Sequence, residues 1–467
     1  MAYQLLIDGE LVDGAETLDV INPATGQILS SAPRADTAQA ERAIAAAKRA
    51  FPAWARLSFA ERRGYLEKLA AAVRARADEF ARLLTQEQGK PLAQAKGEIA
   101  GTIAALAYYA TQELAPKTLR DTPTERIVEQ RYPLGVVAAI TPWNYPMLLM
   151  MLKVAPALIT GNTVIGKPAP TTPLTTLLFG ELAADILPPG VFQTLVDRND
   201  LGGLLSSHPD IAFVSFTGST PTGRKVLGSA ADTLKRFTLE LGGNDAAIIL
   251  DDADLDTVAP RIFKGATENA GQICLAVKRV YAPRSMVDAL CDALAKLAGE
   301  AAVGDGLEQG TTIGPIQNKA QFEKLLGFIA EARADGTIVA GGERHAGDGY
   351  FIAPTIVRDL PDDARLVREE QFGPVLPILA YDDLDDAIAR ANDSDYGLGG
   401  TIWTSNVDRG IAVASRIESG TVWVNKHLEL PFDVPFGGAK HSGIGRQQGI
   451  EGMEDFTQAR IVNAALA

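Results

Sequence analysis

Cys274 ends the stretch Asn269-Ala270-Gly271-Gln272-Ile273-Cys274, where a helical pattern runs into a glycine. A thiol at such a break can be a nucleophile once it is a thiolate. An intracellular cysteine can equally be a small buried hydrophobe. The second cysteine shows that ordinary case: Cys291 sits in Met286-Val287-Asp288-Ala289-Leu290-Cys291-Asp292-Ala293-Leu294, among apolar residues at helical spacing, and reads as packing. Asn144 lies in Thr141-Pro142-Trp143-Asn144-Tyr145-Pro146, after a strand pattern and at the opening of a helix. An amide donor beside free helix N–H groups suits a developing oxyanion, and an Asn there also serves as a plain helix cap.

Two further stretches pair glycines with polar groups. Glu240 precedes the glycines of Leu239-Glu240-Leu241-Gly242-Gly243-Asn244, which let the backbone approach a ligand or another segment closely. By itself that carboxylate is either functional or a solvated, salt-bridged residue. Phe216-Thr217-Gly218-Ser219-Thr220-Pro221-Thr222-Gly223 runs from strand into glycine-rich turn and helix, which can bring backbone donors to a diphosphate. It lacks the G-x-G-x-x-G spacing, so an ordinary tight turn fits it as well.

The elements that must position these residues follow from the pattern between them. After a short strand over Tyr3 to Leu11, the stretch Asp36 to Glu113 has helical periodicity, punctuated at Pro52, Gly89-Lys90-Pro91 and Gly101. Arg126 to Arg131 alternates and predicts a strand exposed on one face. Short apolar runs then predict strands at Val136 to Ile140, Thr163 to Lys167, Phe192 to Val196, Ile211 to Phe216 and Ala246 to Leu250, with helices at Thr172 to Ile186 and Pro221 to Ala230. A second series has helices at Leu255 to Ala270, Ser285 to Glu300, Asn318 to Asp335 and Leu384 to Ala391. Its strands are expected at Val277 to Ala282, Thr337 to Ala340, Val375 to Tyr381, Gly400 to Thr404 and Thr421 to Asn425. Such alternation implies parallel sheets covered by helices. The fold class is α/β, with two lobes meeting near Gly242-Gly243 and one cleft.

The 467 residues are 46% hydrophobic and 22% charged, a globular composition with ample core. A net charge of −14 argues against a general nucleic-acid binder, which needs a basic surface. Two cysteines make no disulfide framework, and neither has metal-ligand spacing to the four histidines, so no metal site is expected. The acidic N-terminus is unlike a signal peptide, and the most apolar stretch, Tyr145 to Ile159, is interrupted by Lys153 and Pro156. The expectation is a cytoplasmic protein with no membrane contact.

Taken together, the order and spacing of the four stretches resemble the aldehyde dehydrogenase superfamily, in its hydrolytic NAD(P)-dependent branch. The resemblance runs from Ile21-Asn22-Pro23-Ala24-Thr25-Gly26 to Pro435-Phe436-Gly437-Gly438 and includes Lys167-Pro168-Ala169, Glu369-Glu370-Gln371-Phe372-Gly373-Pro374-Val375 and Ser442-Gly443-Ile444-Gly445-Arg446. It implies that Cys274 attacks the aldehyde carbon, that the Asn144 amide and the Cys274 N–H hold the oxyanion, and that Glu240 activates the water that hydrolyses the thioester. It also implies a Rossmann-like cofactor domain contacted by Thr141, Trp143, Lys167 at the adenosine ribose, Gly218, Ser219 and Gly223 at the diphosphate, and Glu370 and Phe372 at the nicotinamide end. The cofactor domain would comprise 1–115 and 133–242, the catalytic domain 243–440, and 116–132 would pair with the C-terminal tail, 441–467, as a β oligomerisation flap. A homodimer or homotetramer is implied, Arg126 to Arg131 serving as an edge strand that takes a partner.

Two positions depart from the family pattern. Pro170 stands where many NAD-using relatives carry a ribose-binding Glu, which weakens discrimination between NAD, the favoured cofactor, and NADP. Gln447 follows Arg446 where some relatives have a Glu proposed to relay protons. The substrate tunnel would be lined by Tyr145, Leu152, Leu430 and Phe436, with Met147 and Met151 nearby. The expected partner is therefore a medium-sized apolar aldehyde, aromatic or aliphatic, although Lys426-His427-Leu428-Glu429 at the mouth carries mixed charge. Two alternatives stand beside hydrolytic oxidation. A CoA-acylating enzyme is disfavoured by Glu240, and a silent protein on the same scaffold by the intact Asn144, Glu240, Cys274 and Glu370.

Overall fold

In the computed structural model, which describes residues 3–466, the apolar runs of the first half form a six-stranded sheet. Its order is Gly443–Ile444, Arg236–Glu240, Ile211–Thr217, Val136–Ile140, Thr163–Lys167 and Phe192–Thr194. All neighbours are parallel except the Gly443–Ile444 edge. Strands buried on both faces need apolar side chains throughout, as the fully buried VVAAI of Val136–Ile140 shows. Strand order reverses between Val136–Ile140 and Ile211–Thr217. The carboxyl ends of those two strands, at Thr141 and Thr217, therefore border a crevice.

The second half builds a seven-stranded sheet in the order Thr337–Ala340, Thr355–Arg358, Val375–Tyr381, Arg279–Pro283, Ala246–Ile249, Gly399–Trp403 and Thr421–Val424. Only the Thr337–Ala340 edge is antiparallel. The two sheets offer opposite ends to each other. Asn144 and Glu240 lie at carboxyl ends of the first sheet. Asp245, Cys274, Gly373 and Leu398 lie just before strands of the second, at amino ends.

Several expectations change. The helix Thr37–Ala55 runs through Pro52, and Leu92–Ala110 runs through Gly101. Pro52 is exposed near its helix end, so the carbonyl it leaves unpaired, on exposed Lys48, faces solvent. Only Gly89, at φ 101°, ends a helix there. The helix from Leu255 stops at Thr267 instead of Ala270 because the next residues turn left-handed. The hairpin Glu16–Asn22 with Gln27–Arg34 and the strands Arg236–Glu240 and Thr355–Arg358 add to the expected set.

The flap has the expected pairing of 116–132 with the C-terminal tail, but not the expected edge. Glu125–Pro133 is the middle strand of three, paired to Lys117–Asp121 on one side and to Thr457–Ala465 on the other. Arg126 to Arg131 is thus no free edge; the chain's own C-terminal strand covers it, and the open edges belong to its two neighbours. Nor does 441–467 act as one piece, since Gly443–Ile444 completes the first sheet. No described helix is long and apolar enough to cross a membrane.

Candidate active site

Cys274 is placed by a turn that ordinary residues avoid. Asn269, Ala270 and Gly271 have φ of 51°, 54° and 71°, costing about 1 kcal/mol or more for each of the two that carry a Cβ. Hydrogen bonds from far along the chain hold it. The Asn269 N–H donates to Gln94 Oε1 (3.0 Å) and Asn269 Nδ2 to the Asn144 carbonyl (3.1 Å). Gln272 Nε2 donates to the Asn269 carbonyl (2.8 Å), while its Oε1 accepts the Gln317 N–H (2.8 Å). A Cβ on Gly271 would meet the Gly373 carbonyl carbon at 2.5 Å, so this position requires glycine.

Asn144 is not the helix cap. Tyr145 occupies the N-cap of Pro146–Ile159 without a side-chain bond, and the Glu98 carboxylate accepts the Met147 and Leu148 N–H groups at 3.0 and 3.2 Å. The buried Asn144 amide crosses between the lobes and donates from Nδ2 to the Gln272 carbonyl (2.9 Å), two residues before Cys274. Its own carbonyl accepts from Lys90 Nζ (2.9 Å), which also binds Glu98 (2.5 Å) and lies 3.5 Å from the Tyr145 ring centroid.

Glu240 ends its strand buried, and neither carboxylate oxygen has a hydrogen-bond partner among the described residues. Burial pushes its carboxyl up to about 8, against the opposing charges of Lys153 and Arg446. Lys153, fully buried with Nζ on Ser215 Oγ (3.2 Å), is pushed down to about 7 by burial. Burial likewise pushes the Cys274 thiol up to about 12; Lys278 opposes this, while the charges of Glu370, Asp245 and Glu240 add to it. With burial holding its proton and the charge of Glu240 acting on it, the Cys274 thiol would need a base to serve as a nucleophile.

Around them the paired glycines make room. A Cβ on Gly242 would meet Glu370 Oε2 at 2.5 Å, and one on Gly243 the Cys274 carbonyl at 2.6 Å. Glu370 Oε1 accepts the Gly243 N–H (3.0 Å). Phe372, at φ 53°, meets Trp143 edge-on with centroids 5.2 Å apart. The buried hydroxyls of Thr141 and Thr217, at the two strand ends flanking the crevice, find no partner among the described residues, an unspent polar set that suits a hydroxyl- and phosphate-rich cofactor.

Other expected residues are committed to the protein itself. Gly218 and Gly223 clear the Phe216 ring and Leu241, and Ser219 caps the helix Thr220–Ala230 through the Thr222 N–H. Lys167 Nζ is ion-paired to buried Asp197 (2.6 Å). Tyr145, Leu430 and Phe436 pack in one apolar cluster with Cys274, joined by Ile273, Leu275, Leu428 and Trp423. Leu152 packs elsewhere, in the helical core with Met151. At the mouth, Lys426 pairs with Glu429 (3.2 Å), and His427 turns inward onto the Leu275 carbonyl (2.7 Å), where burial pushes it down to about 4. Lys90, Glu98, Lys153, Asp197 and Lys278 were not expected. For Lys153 the signal available was a charge inside an apolar stretch, which reads as an interruption. Among the described residues no group of three or more His, Cys, Asp or Glu gathers to hold a metal ion.

Comparison with known proteins fits this architecture. The model of the aldehyde dehydrogenase family matches residues 11–462. The betaine aldehyde dehydrogenase of Rhizobium leguminosarum bv. trifolii is 38% identical over 467 aligned residues, covering 98% of this chain and 96% of that one. Among solved structures, a mutant aldehyde dehydrogenase from Bacillus cereus superposes with a TM-score of 0.97 at 36% identity, covering 100% of this chain and 97% of that one. Betaine aldehyde dehydrogenase from Staphylococcus aureus in complex with NAD+ gives 0.96 at 32% identity, covering 100% and 95%. The chain belongs to the aldehyde dehydrogenase family. It is an NAD(P)-dependent aldehyde dehydrogenase, and aldehyde oxidation is its general chemistry.

Proposed function

We propose that this enzyme oxidises a medium-sized apolar aldehyde to the carboxylic acid through a covalent bond to Cys274. The observation that carries the reading is the convergence of three groups from two lobes: the Cys274 turn, the Asn144 amide bonded to it, and the unpartnered Glu240 carboxyl. Glu240 takes the thiol proton as sulfur adds to the carbonyl carbon. The Asn144 amide and the Cys274 N–H hold the resulting oxyanion. The bound nicotinamide cofactor supplies the hydride acceptor. Collapse of the thiohemiacetal expels hydride and leaves a thioester on Cys274; Glu240 gives up the thiol proton to solvent and then draws a proton from water as the water attacks, which releases the acid and frees the Cys274 sulfur.

The cofactor is held along the carboxyl ends of the six-stranded sheet (133–242 with 1–115). Thr141, Trp143, Gly218, Ser219 and Gly223 line the crevice, and Glu370 and Phe372 face it from the second lobe (243–440). NAD is favoured over NADP. Although Pro170 supplies no carboxylate, Asp197 does so from the neighbouring strand end and already neutralises Lys167. A 2′-phosphate would meet Asp197 before it met a free cation. Fluorescence titration should show tighter binding of NAD+, and an affinity about tenfold higher for NADP+ would reverse the assignment.

The apolar cluster with Cys274 supports apolar burial at roughly 25 cal/mol per Å². A cationic tail gains little from Tyr145, one face of which Lys90 already occupies. The purified enzyme should therefore convert hexanal and benzaldehyde to acids with higher kcat/KM than betaine aldehyde or succinic semialdehyde. The reverse order overturns the apolar reading. Acyl-CoA appearing when CoA is added would turn the reading to the acylating type, and no NAD(P)H from any aldehyde would turn it to a silent scaffold. Assembly is through the flap: Thr457–Ala465 has an open edge with Ile461 and Val462 exposed, which supports a homodimer or homotetramer, and light scattering tests it.

A further inference from the structure

Lys278 is 1% exposed and lies four residues after Cys274, on the approach to the strand Arg279–Pro283. Its Nζ is wrapped by the nucleophile turn: it donates to the carbonyls of Ile273 (2.7 Å), Cys274 (2.8 Å) and Ala276 (3.5 Å). The first two are the peptide groups on either side of the Cys274 Cα. One atom therefore pins both planes that set the backbone angles of Cys274. Lys278 is itself fixed, its N–H donating to the Asp245 carbonyl (3.0 Å) and its carbonyl accepting from Gln371 Nε2 (3.1 Å).

The peptide joining Ile273 to Cys274 is trans, so its N–H points opposite its C=O. The C=O faces Lys278. The N–H faces away from it and, among the described residues, donates to no protein acceptor. A cation on the oxygen draws electrons through the amide and makes the far N–H a stronger donor. We infer that Lys278 is a positioning residue for the reaction: its side chain aims the Cys274 N–H into the site and strengthens it as an oxyanion donor. The inference rests on the proposed use of Cys274 as nucleophile and of its N–H for the oxyanion.

A purely structural lysine would satisfy the same carbonyls and balance the buried acids. Glu370 is 3.9 Å away, and the charges of Asp245 and Glu240 also face the turn, while Arg279 is spent on the Asn244 carbonyl. The experiment must therefore read the site. Lys278→Met should slow single-turnover hydride transfer by about tenfold or more, the scale of a misaimed catalytic donor, while NAD+ affinity measured by fluorescence stays near that of the parent. Alkylation of Cys274 by iodoacetamide without cofactor should need higher pH, because a cation facing the thiolate has gone. Lys278→Arg keeps the charge and should recover much of both.

A folded Lys278→Met protein with parental single-turnover rate and alkylation profile overturns the inference. If that variant does not fold, Lys278→Gln, which keeps a donor but loses the charge, decides. Only Cys274 and Cys291 are cysteines, so ¹⁵N-cysteine labelling gives two amide signals. The inference requires the Cys274 signal to move together with the rate, and parental values of both overturn it. Turnover by Cys274→Ala would instead overturn the nucleophile assignment, whatever Lys278 does.

Discussion

The turn 269–274 and the helix Arg284–Glu300 each carry one cysteine, and almost everything around the two differs. The helix has regular backbone, and Cys291 is 2% exposed in an apolar cluster with Val287, Leu290 and Leu294. Each of its neighbours could be exchanged for another hydrophobe of similar volume at modest cost. The turn holds two non-glycine residues at positive φ, and its stabilising bonds come from Gln94, Asn144, Gln317 and Lys278. Local sequence accounts for the helix. The turn exists only because distant segments over-determine it, and such residues gather where geometry serves chemistry.

Exchanging the cysteines themselves tests this contrast most severely. Cys274→Ala should abolish aldehyde oxidation, whereas Cys291→Ala should leave kcat near that of the parent and lower stability by about 1 kcal/mol through lost packing. Steady-state rates and thermal melts on both variants check this, and an inactive Cys291→Ala with an active Cys274→Ala would break the comparison outright.

Next in size is Glu240, the buried carboxyl proposed as the base. Glu240→Gln should cut kcat by about a hundredfold or more and accumulate an acyl-enzyme visible by intact-mass spectrometry. Because the carboxyl is pushed up to about 8, its basic form is scarce below that pH. The parent's kcat/KM should therefore rise through pH 8, and the Gln variant should lose that limb. Full turnover in the variant, or a flat parental profile between about pH 6 and 9, contradicts the assignment.

The contrast also explains what could be read from sequence. Strands buried on both faces, such as Thr163–Lys167 and Val375–Tyr381, announce themselves as short apolar runs. The hairpin strand Glu16–Asn22 does not, since its polar residues lie exposed on a sheet of only two strands. The order of their motifs marked Cys274, Asn144 and Glu240 as candidates. Asn144 alone left cap and oxyanion donor undecided, because the choice depends on Glu98, distant in sequence, taking the helix N–H groups. Lys278 was invisible for a related reason, since its hydrogen-bond partners are backbone carbonyls, which have no sequence signature, and Lys90 because it joins the Glu98 carboxylate to the distant Asn144 carbonyl.

Glycine exchange probes the two backbones with the smallest perturbation, one methyl group. Gly299 lies exposed near the end of the Cys291 helix, with nothing within 4 Å of the place a Cβ would take. Alanine there adds helix propensity and clashes with nothing, so Gly299→Ala should stabilise the protein by about 0.5 kcal/mol or more and leave activity unchanged. The same methyl on Gly271 meets the Gly373 backbone at 2.5 Å and the Ala266 carbonyl at 2.8 Å, at a φ of 71° that an L-residue resists. Backbone cannot swing aside as a flexible side chain can, so the turn must shift and carry Cys274 with it. Gly271→Ala should lower kcat by about tenfold while KM for the cofactor changes little, since the strand-end crevice is untouched. Thermal melts and steady-state kinetics on the pair measure both signs. Equal effects of the two substitutions would mean that the turn tolerates movement as the helix does, and that its strain does not serve the positioning of the thiol.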